Sequence, residues 1–102
     1  MLTYEKVIEI FSEYLADDKE VEVVKTSRGY VRLEWAGDFS YCDDGHLCRT
    51  PGELFDQLLS DCQTYEELKL TKGRRELTPA EREAVQALLQ PYLKKREVEE
   101  TK

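Results

Sequence analysis

No stretch of this 102-residue chain stays apolar for long; its apolar runs are a few residues each, against the roughly 18 that a membrane-spanning helix needs. The first 15 residues also lack a secretory signal's basic start, apolar centre and small-residue cleavage site, because Glu5, Lys6, Glu9 and Glu13 interrupt them. Cysteine is scarce. Cys42, Cys48 and Cys62 are too few for a disulfide framework, and an odd number leaves a thiol unpaired, so the expected setting is a reducing cytoplasm. Histidine occurs once, as His46. The five glycines stand singly at positions 29, 37, 45, 52 and 73, which excludes a glycine-rich phosphate cradle, and no alternating acids precede a glycine as in a calcium loop. Positive charge is short as well. Fifteen basic against 22 acidic residues give a net charge of −7, divided as −5 in residues 1–50 and −2 in residues 51–102, so no region is strongly basic.

What is present is a clear change of period along the chain. Tyr4, Val7, Ile8, Phe11, Tyr14 and Leu15 recur at three- and four-residue steps behind a Thr3 cap and predict an amphipathic helix. From Val21 the apolar residues alternate, through Val23 and then Val31, Leu33 and Trp35, predicting two strands joined at Ser27-Arg28-Gly29. Ala36-Gly37-Asp38 reads as another turn. Asp43-Asp44-Gly45 reads as a hairpin turn between strands at 39–42 and 46–49, because Asp and Gly tolerate positive φ. Thr50-Pro51-Gly52-Glu53 then opens a helix with a capping box, and Thr64-Tyr65-Glu66-Glu67 reads as the start of a short further segment. Thr78-Pro79-Ala80-Glu81 caps a last helix with Val85, Leu88, Leu89 and Tyr92 as its inner stripe, and Pro91 predicts a kink or restart near residue 90.

These elements imply a two-layer α+β fold: an N-terminal helix, an antiparallel meander of about four strands, then two or three C-terminal helices packed on one sheet face. The assignment is a single domain over residues 1–96, with 97–102 as a frayed tail. Alternation places Val21, Val23, Val31, Leu33, Trp35, Phe39 and Tyr41 on the helix-covered side. The open face would then carry Glu20, Glu22, Tyr30, Arg32 and Glu34.

Four groups of residues carry chemistry that could matter. Cys42, His46, Cys48 and Cys62 comprise three sulfurs and an imidazole, but their spacing departs from the paired ligands of structural zinc sites. Cys42 or Cys48 with His46 could form a thiol centre, although Asp43 and Asp44 disfavour a thiolate and no oxyanion turn accompanies them. Lys72 to Arg75 and Lys94 to Arg96 are two short basic clusters that could touch phosphates, Arg74 and Arg75 foremost. Tyr30 with Arg32 forms the best candidate contact patch for a protein, both being residue types enriched at interfaces.

Residues 77–89, Leu-Thr-Pro-Ala-Glu-Arg-Glu-Ala-Val-Gln-Ala-Leu-Leu, resemble the opening helix of LuxR-type helix-turn-helix domains. That resemblance implies a turn and a recognition helix downstream. The chain instead continues Gln90-Pro91-Tyr92-Leu93 and soon ends, so no DNA-reading residue carries over. The functional expectation is therefore a small acidic cytosolic module, accessory or regulatory and without catalytic activity, that binds a protein or itself through Tyr30, Arg32, Arg74 and Arg75. No membrane, metal or cofactor is assigned. The alternatives are a metal-linked or thiol-dependent enzyme centred on the Cys42, His46 and Cys48 hairpin, and a weak nucleic-acid binder using the clusters at 72–75 and 94–96.

Overall fold

Thr3 starts the first helix in the way its chemistry suggests, its hydroxyl accepting from the Lys6 backbone N–H at 3.1 Å. In the computed structural model, which describes residues 1–102, this helix falls into two segments, α1 (Tyr4–Ile10) and α2 (Ser12–Asp17). Phe11 sits between them at φ −96°, ψ 14°, and Leu15 N–H still donates to its carbonyl at 2.9 Å. The sheet follows as β1 (Val21–Thr26), β2 (Gly29–Trp35) and β3 (Cys42–Cys48), antiparallel and in the order β1-β2-β3. Gly29 closes the first turn at φ 122°, a conformation that side chains disfavour.

There are three strands rather than four, and the reason lies in a competition between turns. Asp43-Asp44-Gly45 is not a hairpin turn; it lies within β3, with Gly45 opposite Leu33 and without a positive φ. The chain reverses earlier, over residues 36–41. There Asp38 accepts from the Ser40 N–H at 3.0 Å and from its hydroxyl at 2.6 Å, Ala36 N–H donates to Tyr41, and Phe39 takes a left-handed φ of 59°. With the reversal complete there, Asp43 is left as the extra residue of a bulge opposite Glu34 and Trp35.

Helix α3 (Pro51–Thr71) begins where Thr50 accepts from Glu53 N–H at 3.0 Å, and it passes through Thr64 to Glu67 without the expected restart. An internal cap signal loses to continuous backbone hydrogen bonding along a buried face. Helix α4 (Pro79–Glu100) has the expected capping box between Thr78 and Glu81, and it also continues through Pro91. Ala87 and Pro91 are both exposed, so the carbonyl deprived of its donor is on the wet side of the helix. The last turn of α4 occupies residues 97–100.

Eleven side chains make the core cluster, and only Val21 and Cys48 come from strands. The others, including Val7, Phe11, Leu54, Phe55, Leu58 and Leu89, knit α1, α2, α3 and α4 together. Phe11 stacks on Tyr92 at 4.8 Å and meets the edge of Phe55 at 5.1 Å. Leu88, expected on the inner stripe of α4, is instead 52% exposed, turned roughly 100° about the helix axis from the buried Leu89 that follows it. The molecule measures 40 × 39 × 19 Å, and its thin dimension fits one sheet and one layer of helices.

Candidate docking face

Register decides which side of the sheet meets the helices. Cross-strand partners share a face, so Val23, Arg32 and His46 lie together, as do Lys25, Tyr30 and Cys48. This is the covered side. Tyr30 stacks on Tyr4 of α1 at 4.5 Å and donates its hydroxyl to Glu5 at 2.9 Å, while Tyr4 donates to the Cys48 carbonyl at 3.1 Å. Arg32 is 4% exposed, and two of its nitrogens donate to the Asp61 carboxylate of α3 at 2.8 and 2.6 Å. Asp44 at 3.4 Å and Glu34 at 3.6 Å complete its surroundings. Burial works against the guanidinium's charge, yet Asp61 and then the other two acids keep its pKa above the ordinary value.

The expected placement of the β2 side chains is therefore inverted. Arg32 and Tyr30, proposed for an open contact patch, face the helices. Val31, Leu33 and Trp35, proposed for the covered side, face away. Alternation of types could not settle this, because β2 presents either face equally well until Asp61 provides a partner for Arg32. A buried arginine alone would be prohibitive; a bidentate carboxylate on α3 makes it tenable.

The other face is apolar and no element lies over it. Val24, Val31 and Leu47 form one cross-strand row, and Leu33 sits opposite Gly45 in the next. A Cβ on Gly45 would be 3.5 Å from Leu33, and one on Gly29 would be 3.6 Å from Leu47, so these leucines spread over the glycine gaps in the sheet. Trp35 belongs to the same side by alternation. None of Val24, Val31, Leu33, Trp35 or Leu47 packs against the core cluster, and Leu47 is 39% exposed. Phe39 and Tyr41 of the 36–41 loop are exposed beyond the ends of the strands, Phe39 in a hollow that Asp61, Tyr65 and Leu68 of α3 also line.

The remaining candidates separate. Cys42 is exposed and directs its thiol to the Asp44 and Glu34 carbonyls, whereas Cys48 and Cys62 are buried. Burial raises both buried thiols above the ordinary value, with Glu53 adding to the effect at Cys48 and Glu66 at Cys62, so neither favours a thiolate. His46 faces α3 and lies 2.8 Å from Glu53. No three His, Cys, Asp or Glu side chains are placed to hold a metal ion. Arg75 is bound to both oxygens of Glu81, at 2.7 and 2.8 Å, and Arg96 bridges Asp56 and Glu100. Arg74 is exposed and in no ion pair, so the two arginines proposed together have separate roles. The hollow that holds Phe39, about 620 Å³, is lined also by Asp18, Glu34, Tyr65 and Lys69 among others, with the Arg32 partner Asp61 at its wall. Its charges are mixed in sign; Glu34 and Asp61 pair with Arg32 and Lys69 with Glu66, neither Arg32 nor Glu66 being a residue of the lining.

No protein-family model matches the chain, and no curated protein or solved structure is similar to it. No helix is long and apolar enough to cross a membrane.

Proposed function

We propose that this chain is a small accessory or regulatory module of the cytoplasm that acts by docking to protein, without catalysis, through the uncovered face of its sheet. The observation that carries this reading is the continuous apolar surface of Val24, Val31, Leu33, Trp35 and Leu47, to which no helix of the chain is applied. A face of branched aliphatics and one tryptophan, with polar groups kept to its rim, has the composition of an interface core. The contact residues of this reading are those five, in place of Tyr30 and Arg32, which serve the covered side.

The test is affinity capture from native cell extract with the wild-type chain and with Leu47→Glu, the captured proteins being identified by mass spectrometry. A protein held by the wild type and lost from the variant supports docking at this face. Identical sets on both baits overturn it.

A further inference from the structure

Charge along the bare face is arranged in a way that selects one partner. At the end formed by the first hairpin stand Arg28, in the turn, and Arg49, directly after β3; at the other end stand Glu22 on the face and Asp43 at the bulge. All four are exposed, and none is in an ion pair. Between them lies only the apolar surface. In a chain of net charge −7, this face is dipolar, with Arg28 and Arg49 at one end and Glu22 and Asp43 at the other.

We infer that the occupant of the face is a second copy of this chain, laid sheet to sheet about a two-fold axis that runs across the strands; the inference rests on the docking reading above. Two faces can meet about a two-fold axis along the strands or across them. The first would set Arg28 and Arg49 against their own copies, and Glu22 and Asp43 likewise. The second reverses the strands and brings the cationic end of each copy over the anionic end of the other, while Val24, Val31, Leu33 and Leu47 interleave between sheets about 10 Å apart. Like charges across an interface are costly and opposite charges fix its register, so the crosswise axis is the one selected.

Size sets the strength. Three strands about 4.8 Å apart, with some seven residues at about 3.3 Å each, offer roughly 300 Å² of sheet per copy, below the roughly 800 Å² per partner of a standard interface. The dimer is accordingly weak and reversible, and it forms with concentration.

Sedimentation equilibrium of the purified chain from about 10 µM to about 1 mM spans such weak association. The expected result is a rise from the mass of one chain to that of two, with the fluorescence of Trp35, the sole tryptophan, shifting to shorter wavelength as the dimer forms. Leu47→Glu should stay a monomer with unchanged circular dichroism. Glu22→Arg and Arg28→Glu should each weaken association at least tenfold, and the double variant Glu22→Arg with Arg28→Glu should recover most of it, because this axis lays the β1 end of one copy over the first hairpin turn of the other. Monomers at every concentration, a dimer that survives Leu47→Glu, or a double variant no better than the singles would each overturn the inference. Loss of self-association leaves the docking reading intact when extract capture still depends on Leu47, so the two fail separately.

Discussion

The two faces of the single sheet are built against the usual rule. The side turned to the helices carries Tyr30, Arg32, Glu34, Asp44 and His46, and the side turned to water carries Val24, Val31, Leu33 and Leu47. The covered face tolerates its polar residues because each has a partner: Arg32 has Asp61, Tyr30 has Glu5 and His46 has Glu53, and no buried side-chain nitrogen or oxygen is left without a hydrogen bond. The bare face has no such compensation within the chain. The helices hold most of the core among themselves; the sheet joins it through Val21 and Cys48, with Val23 packed alongside, and through these polar pairs, and leaves its other, apolar surface free for a partner.

If that contrast is correct, the largest effect comes from orphaning the buried charge. Asp61→Ala should cost about 3–5 kcal/mol of stability in urea unfolding, because Arg32 would remain in the interior with its bidentate partner gone. Replacing both, as Arg32→Met with Asp61→Leu, should restore stability to near the wild-type value, since an apolar pair of similar volume removes the desolvation penalty. A loss under about 1 kcal/mol for Asp61→Ala would mean that the pair is solvated and that the covered face is not sealed.

A matched pair of leucines measures the same contrast on apolar ground. Leu54 is fully buried in the helical core, and Leu47 is 39% exposed on the bare face. Leu54→Ala should lose about 2–5 kcal/mol, whereas Leu47→Ala should lose less than about 1 kcal/mol in the dilute chain, where the face meets only water. Equal losses would show that some part of the chain does cover Leu47.

Much of this architecture was legible in the residue order. Thr3, Thr50 and Thr78 each cap the helix they were expected to start, and the change from a helical to an alternating period after Asp18 marks the passage to β1. These are local signals, set by side chains within four residues of the backbone they satisfy. The strand count failed where two local turn signals competed and the Asp38 and Ser40 hydrogen bonds completed the reversal before Asp44-Gly45 was reached. The face assignment of β2 failed for a different reason. Alternation in Tyr30-Val31-Arg32-Leu33-Glu34-Trp35 marks two faces but not which one is covered, and the deciding partner, Asp61, lies 29 residues away on α3. The docking face went unread for the same cause, because an exposed apolar row resembles a buried one until the helices are placed.

The smallest effect separates the faces by pH. Glu53 is held below its ordinary pKa of 4.5 first by the Arg49 backbone N–H and then by His46; Glu5 is lowered by its own backbone N–H and then by the Tyr30 hydroxyl. Both carboxylates therefore bind protons more weakly when folded than when unfolded. Their contribution is fully present above the unfolded value and is lost as pH falls through the lowered folded one. Melting temperature should decline as pH falls below about 4.5, and the double variant Glu5→Gln with Glu53→Gln should decline less steeply over that range. Leu47→Ser, which alters only the bare face, should keep the wild-type slope. Curves for the carboxamide variant that parallel the wild type would show that these contacts do not bind the sheet to the helices, and the covered face would then owe its attachment to Arg32 with Asp61 and to the buried Val21 and Cys48.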